Sequence, residues 1–80
     1  MDDIDVRIIE CISKFTYTRR NELWFWVKEI VSPAVLQHRL DLLEELGFIE
    51  RIPDMGYKRT KKGDEMVKNW RRSKSLKMLR

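Results

Sequence analysis

The sequence predicts a mainly α-helical domain with one small β-hairpin, α+β in class, in the order helix, helix, helix, hairpin, helix. Three observations predict it. Apolar residues recur at helical spacing over three stretches between residues 3 and 46. Ser32-Pro33 and Gly47 punctuate the third stretch with a start and a stop. Pro53-Asp54-Met55-Gly56 reads as a turn between two short runs, 48–52 and 57–60.

The first helix is expected over 3–15. Ile8, Ile9, Ile12 and Phe15 recur on one face, with Cys11 beside them, and Asp2, Asp3 and Asp5 favour the positive helix end. Thr16-Tyr17-Thr18 is either a connector or a very short strand, because β-branched and aromatic residues suit an extended backbone. The second helix is expected over 19–30, with Leu23, Trp26, Val27 and Ile30 on its core face. Trp24 then borders that face and Phe25 points away from it.

The third helix is expected over 33–46. Ser32 can cap its free N–H groups, and Pro33 needs no hydrogen bond in the first turn. Only Val31 and this cap separate it from the second helix, so the two must turn sharply. In the turn that follows 48–52, Pro53 fixes φ, Asp54 bonds its own backbone and Gly56 supplies positive φ. Thr60 can cap a last helix whose apolar stripe is Met66, Val67 and Trp70. The stripe fails after Arg72, so 1–72 is expected to form the domain and 73–80 a frayed basic tail.

Eighty residues make one domain with a modest core. The chain is 42% hydrophobic and 38% charged, too apolar for a disordered tail and too charged for a membrane protein. Its longest apolar run, Leu23 to Val27, is far below the ~20 residues that span a bilayer. No signal-peptide core follows the acidic start, and one cysteine excludes an internal disulfide, so a cytoplasmic setting is expected. Net charge is +4, divided unevenly. Residues 1–56 hold 7 Lys/Arg against 11 Asp/Glu, whereas residues 57–80 hold 10 against 2. A body at −4 and a C-terminal third at +8 point to a polyanion, most simply nucleic acid. A solubilising basic tail is the plainer alternative.

The run from Ser32 to Ile49 (SPAVLQHRLDLLEELGFI) resembles the third helix and first wing strand of the winged helix-turn-helix family. Leucines spaced four and three apart are followed by an acidic pair, a glycine and two apolar residues. Tyr57-Lys58-Arg59-Thr60-Lys61-Lys62-Gly63 resembles the second wing strand and the opening of the last helix. The chain looks most like small regulators of the MarR and PadR types, including compact archaeal and archaeal-virus versions. The resemblance covers residues 3–70. Arg59 departs from it, standing where an apolar residue is usual, and so does the acidic third helix.

The resemblance implies a sequence-specific regulator of transcription that binds double-stranded DNA. Helix 33–46 would enter the major groove, and wing 48–60 would lie on the backbone or minor groove. Helical geometry places Val35, Leu36, Leu40, Leu42, Leu43 and Leu46 on one arc, read as core. Ala34, Gln37, His38, Asp41, Glu44 and Glu45 occupy the other. Gln37 and His38, with Ala34 beside them, are the candidates for reading bases, since Gln pairs with adenine and His bonds purine acceptors. Solvated surface residues are the rival reading. Asp41 is read as pairing with a nearby base. Ser32 with its helix N-terminus, Arg19, Arg20, Lys58, Arg59, Lys61 and Lys62 are the candidate phosphate contacts. Arg71, Arg72, Lys74, Lys77 and Arg80 form a second, less specific candidate patch. Arg39 falls inside the apolar arc and must snorkel outward or pair with an acid such as Glu10 or Glu50.

Trp24, Phe25 and Trp70 exceed what one helix face can bury and mark a candidate dimer or partner surface. Trp70 is the expected neighbour of Trp24 or Phe25. A homodimer is expected, and a compact monomer is the rival. The competing function is a winged-helix protein-interaction module. An enzyme is not expected, because His38 is the single histidine, Cys11 lies on an apolar face, and no phosphate loop or metal-ligand cluster is present. No cofactor, metal or small-molecule effector is implied.

Overall fold

The computed structural model describes the backbone of residues 2–78 and the side chains of residues 2–73. Four helices and one antiparallel hairpin follow in the order α1 (Asp3–Cys11), α2 (Arg20–Val27), α3 (Pro33–Glu45), β1 (Ile49–Ile52), β2 (Gly56–Arg59) and α4 (Lys61–Met78). The class is α+β, mostly helical. The register pairs Ile49 with Arg59, Glu50 with Lys58, Arg51 with Tyr57 and Ile52 with Gly56.

α1 starts as the acidic N-terminus dictates: the Asp2 carboxylate accepts from the Asp5 N–H at 3.1 Å. It ends at Cys11, four residues before the expected end. Ser13 is the reason. Its hydroxyl accepts from the N–H groups of Phe15 (3.2 Å) and Thr16 (3.1 Å), a local turn that competes with helix. Phe15 is therefore 82% exposed rather than in the core. The Lys14 ammonium lies 5.2 Å from its ring centroid. Of the two readings of 16–18, the short strand is observed as one bridge, in which Thr18 and Tyr57 exchange backbone hydrogen bonds of 2.7 and 2.9 Å. A Cβ on Gly56 would collide with the Thr18 carbonyl, so this approach needs glycine.

α2 buries Leu23 and Val27 and packs half-buried Trp24 on the core. Trp26 and Ile30, expected inside, are 67% and 49% exposed. The helix stops at Val27, so Ile30 leaves the helical register and Val31 takes the buried place. Phe25 is exposed, as its position on the helix predicts.

α3 has the expected start: the Ser32 hydroxyl accepts from the Val35 N–H at 3.2 Å, with Pro33 in the first turn. It ends on Gly47 at φ 85°, where Gly47 N–H reaches the Glu44 carbonyl and Phe48 N–H the Leu43 carbonyl, both at 3.0 Å. Leu36, Leu40 and Leu43 are buried. Val35, Leu42 and Leu46 are exposed by 41–45%, so the core arc is narrower than the sequence suggested.

Thr60 joins the two ends of the C-terminal half. Its hydroxyl donates to the Gly47 carbonyl (2.6 Å) and accepts from the Gly63 N–H (3.1 Å), which caps α4. Val67 enters the core, and Met66 and Trp70 pack against it. α4 lies along α1, and Trp70 shares a concavity with Asp3, Val6, Arg7, Glu10 and Cys11. The helix continues beyond Arg72 to Met78, since no Gly or Pro follows Gly63 and Lys, Arg, Leu and Met are good helix formers. The side chains of Lys74 and Lys77, and all of Arg80, lie outside the described residues.

Two arginines hold this arrangement. Arg39 pairs with Asp5 at 2.9 Å and Asp2 at 3.2 Å, not with Glu10 or Glu50, and so ties α3 to the start of α1. Asp5 raises the Arg39 pKa further above its ordinary value. Arg59 donates to the Ile12 carbonyl (3.0 Å), the Glu10 carbonyl (3.3 Å) and Asp64 (3.0 Å). Glu10 itself pairs with Arg71 at 3.0 Å.

Candidate functional site

α3 presents Ala34, His38, Asp41 and Glu45 to solvent along one side. Gln37, at the edge of this side, is half-buried and has an internal partner at each end of its amide. Its carbonyl accepts from Arg20 Nε at 2.7 Å, and its amide donates to Asp41 at 2.9 Å. Arg20 also donates to the Pro33 carbonyl at 3.3 Å. On β1, Arg51 pairs with Glu44 at 3.2 Å and approaches Asp41 at 3.6 Å. Its guanidinium lies over the Tyr57 ring at 5.8 Å. One chain of polar contacts thus runs from α2 through α3 to the hairpin.

The same residues border a groove. Arg20, Gln37, Arg51, Ile52, Asp54, Met55, Gly56 and Tyr57 enclose about 260 Å³. That is below the ~300–1,000 Å³ of a small-molecule pocket, so the groove suits one chemical group of a larger ligand. Ala34 and His38 border a different concavity with Val35, Arg39 and Leu42. The expected base-reading trio therefore divides. Ala34 and His38 are accessible, whereas Gln37 already holds one internal partner at its carbonyl oxygen and one at its amide nitrogen.

The expected phosphate contacts divide as well. Arg19 is exposed at the α2 N-cap position. Lys58 and Lys61, with Lys14, border a polar concavity shared with Glu50, Arg59, Thr60 and Asp64. Among the described residues neither Lys58 nor Lys61 makes an ion pair. Arg59, in contrast, is committed to α1 and Asp64, with its side chain 13% exposed, and the phosphate role is corrected to a structural one. Two carbonyls and a carboxylate accept from its guanidinium. Lys62 donates to the Leu46 carbonyl at 2.7 Å and lies 4.8 Å from the Phe48 ring centroid, which makes it part of the α3 C-terminus. The Ser32 oxygen serves as the cap acceptor.

Sequence reasoning did not single out Arg51. Its signal was present: in the hairpin register it lies opposite Tyr57, on the side that faces α3. Asp41 does pair with a nearby cation.

The aromatic surface is also redistributed. Trp24 and Trp70 pack against the chain's own core, and Trp70 meets α1. Phe25 meets Trp26 edge-to-face at 5.7 Å and the Lys28 ammonium at 4.9 Å. Burial pushes the Cys11 thiol pKa up, the opposite of the depression that activates a nucleophile. Among the described residues no group of three or more His, Cys, Asp or Glu could hold a metal ion, and no helix is long and apolar enough to cross a membrane. Comparison with protein-family models, curated proteins and solved structures finds no significant match, so the functional reading rests on this geometry.

Proposed function

We propose that the chain is a winged helix-turn-helix protein that binds double-stranded DNA and regulates transcription. The observation that carries this reading is the groove shared by Arg20, Gln37 and Arg51. It is built jointly by the start of α2, the N-terminal half of α3 and the hairpin, three elements that this fold uses on DNA. His38 and Ala34 on α3 face base edges in the major groove. Arg19, Lys58 and Lys61 supply phosphate contacts, and each contact releases counterions and makes binding salt-dependent. The test is an electrophoretic mobility shift with mixed genomic fragments over a salt series. Retarded complexes that dissolve as salt rises are expected. Absence of any complex at the lowest salt defeats the reading.

A second reading, a protein-interaction module, draws on the exposed Phe25 and Trp26 of α2 and the exposed Val35, Leu42 and Leu46 of α3. These surfaces also suit a homodimer. Loss of DNA binding at all salts together with retained association would favour this alternative.

A further inference from the structure

Arg20 is an oriented cation without a counter-ion. Its hydrogen bonds go to two neutral acceptors, the Gln37 amide oxygen at 2.7 Å and the Pro33 carbonyl at 3.3 Å. Among the described residues no carboxylate pairs with it. The Gln37 side chain and the Pro33 carbonyl fix its guanidinium at the groove, and among the described residues no ion pair offsets its charge. Arg51 borders the same groove and differs in one respect: it is paired, with Glu44 at 3.2 Å and Asp41 at 3.6 Å. These pairs are exposed on both sides, so each is weak and exchangeable. One carboxylate, Asp54 of the turn, is among the groove's lining residues.

We infer that Arg20 and Arg51 form a two-sided clamp for one DNA backbone phosphate, and that Glu44 and Asp41 are the internal anions the phosphate displaces from Arg51. The inference rests on the DNA-binding reading and adds to it a residue, Arg51, and a control of affinity. A guanidinium fork matches a phosphate bidentately, and both forks border the same groove. The acids of α3 thereby acquire a task. They keep Arg51 ordered against Tyr57 in the free protein, and they lower its attraction for any polyanion that fails to displace them.

The experiment measures affinity for a mixed-sequence duplex by fluorescence anisotropy across a salt series, with Glu44→Gln, Glu45→Gln, Arg51→Gln and the Glu44→Gln/Arg51→Gln and Arg20→Gln/Arg51→Gln double variants. Glu45 is the matched control: it sits next to Glu44, carries the same charge and pairs with no arginine among the described residues. Glu44→Gln is expected to bind about two- to fivefold tighter than Glu45→Gln, the range of an exposed ion pair. That advantage is expected to vanish in the Arg51→Gln background. Arg51→Gln leaves Arg20 on the shared phosphate, so it is expected to weaken binding while the slope of log K against log salt falls by less than one phosphate contact, and adding Arg20→Gln is expected to bring the fall to about 0.9. Equal gains in Glu44→Gln and Glu45→Gln, or an unchanged slope in the Arg20→Gln/Arg51→Gln double variant, overturn the clamp and leave DNA binding standing. No binding by the wild type or by Glu44→Gln at the lowest salt overturns both. The comparison of the two glutamate variants holds even where Arg51→Gln fails to fold.

Discussion

Arg59 shows how a surface-type residue becomes structural. It reaches from β2 to two carbonyls at the end of α1 and to Asp64 at the start of α4. Removing it leaves those carbonyls short of a donor and Asp64 short of a cation. Arg59→Ala is expected to cost about 2–3 kcal/mol in urea unfolding, the scale of hydrogen bonds to a charged group. The salt slope of DNA binding should stay at the wild-type value, which a phosphate contact would not allow. Asp64 also meets Lys68 at 3.1 Å and Lys14 at 3.6 Å. The Lys68 hydrogen bond foremost, with Lys14 and Arg59, holds its carboxyl below its ordinary value. Asp2 is lowered too, chiefly by the Asp5 N–H and also by Arg39. A lowered folded pKa means that the folded chain binds fewer protons than the unfolded chain in this window, so stability rises with pH there. The contribution is complete above the unfolded value near 3.8 and is lost as pH falls through the folded values. Denaturant midpoints measured across the acid limb should drop on acidification, and Asp64→Asn should flatten that drop.

At the scale of elements, termini decide more than interiors. α3 is delimited by Ser32 and Pro33 at one end and by Gly47 at the other, and each device was legible in the sequence because capping is local chemistry. Ser32→Ala is expected to lower stability by about 1 kcal/mol in thermal or urea unfolding. α1 and α2 end early for reasons that periodicity does not contain. Ser13 offers its hydroxyl to the following backbone, and the Ser13 carbonyl and Thr18 are held by β2 through Arg59 N–H (2.8 Å) and Tyr57. The hairpin is thus fastened along its length by a segment far earlier in the chain. Gly56→Ala places a methyl against the Thr18 carbonyl and should loosen this fastening. Faster hydrogen exchange at Thr18 and Tyr57 N–H than elsewhere in the core would register it.

At the scale of the whole molecule, the unresolved economy is apolar surface. Phe25, Trp26 and Ile30 on and after α2, and Val35, Leu42 and Leu46 on α3, stay exposed on a small chain. The proposed homodimer would cover part of it, and its weight moves from Trp24 and Trp70, which serve the core, to Phe25 and Trp26. Sedimentation at micromolar concentration should give a dimer of the 9.8 kDa chain, and Phe25→Ser with Trp26→Ser should return it to monomer. A monomeric mass for the wild type removes the dimer.

Class, element order, the α3 caps and the hairpin turn were legible in the sequence. All depend on period, cap and turn residues that act within a few positions. The candidate site was legible as a set of residue types spread between Arg19 and Lys62, but not as an arrangement. Which cations remain free was a tertiary decision: Arg59 and Lys62 were drawn into carbonyl contacts, Gln37 was engaged from both ends, and Arg51 was brought to the groove. Charge partners lie as far apart in sequence as Arg71 and Glu10, and no local pattern encodes such a meeting. The sequence by itself determined what helices and turns could form. Only packing determined which helix faces turned inward and which charges met, because burial and pairing depend on the distances that the completed fold creates.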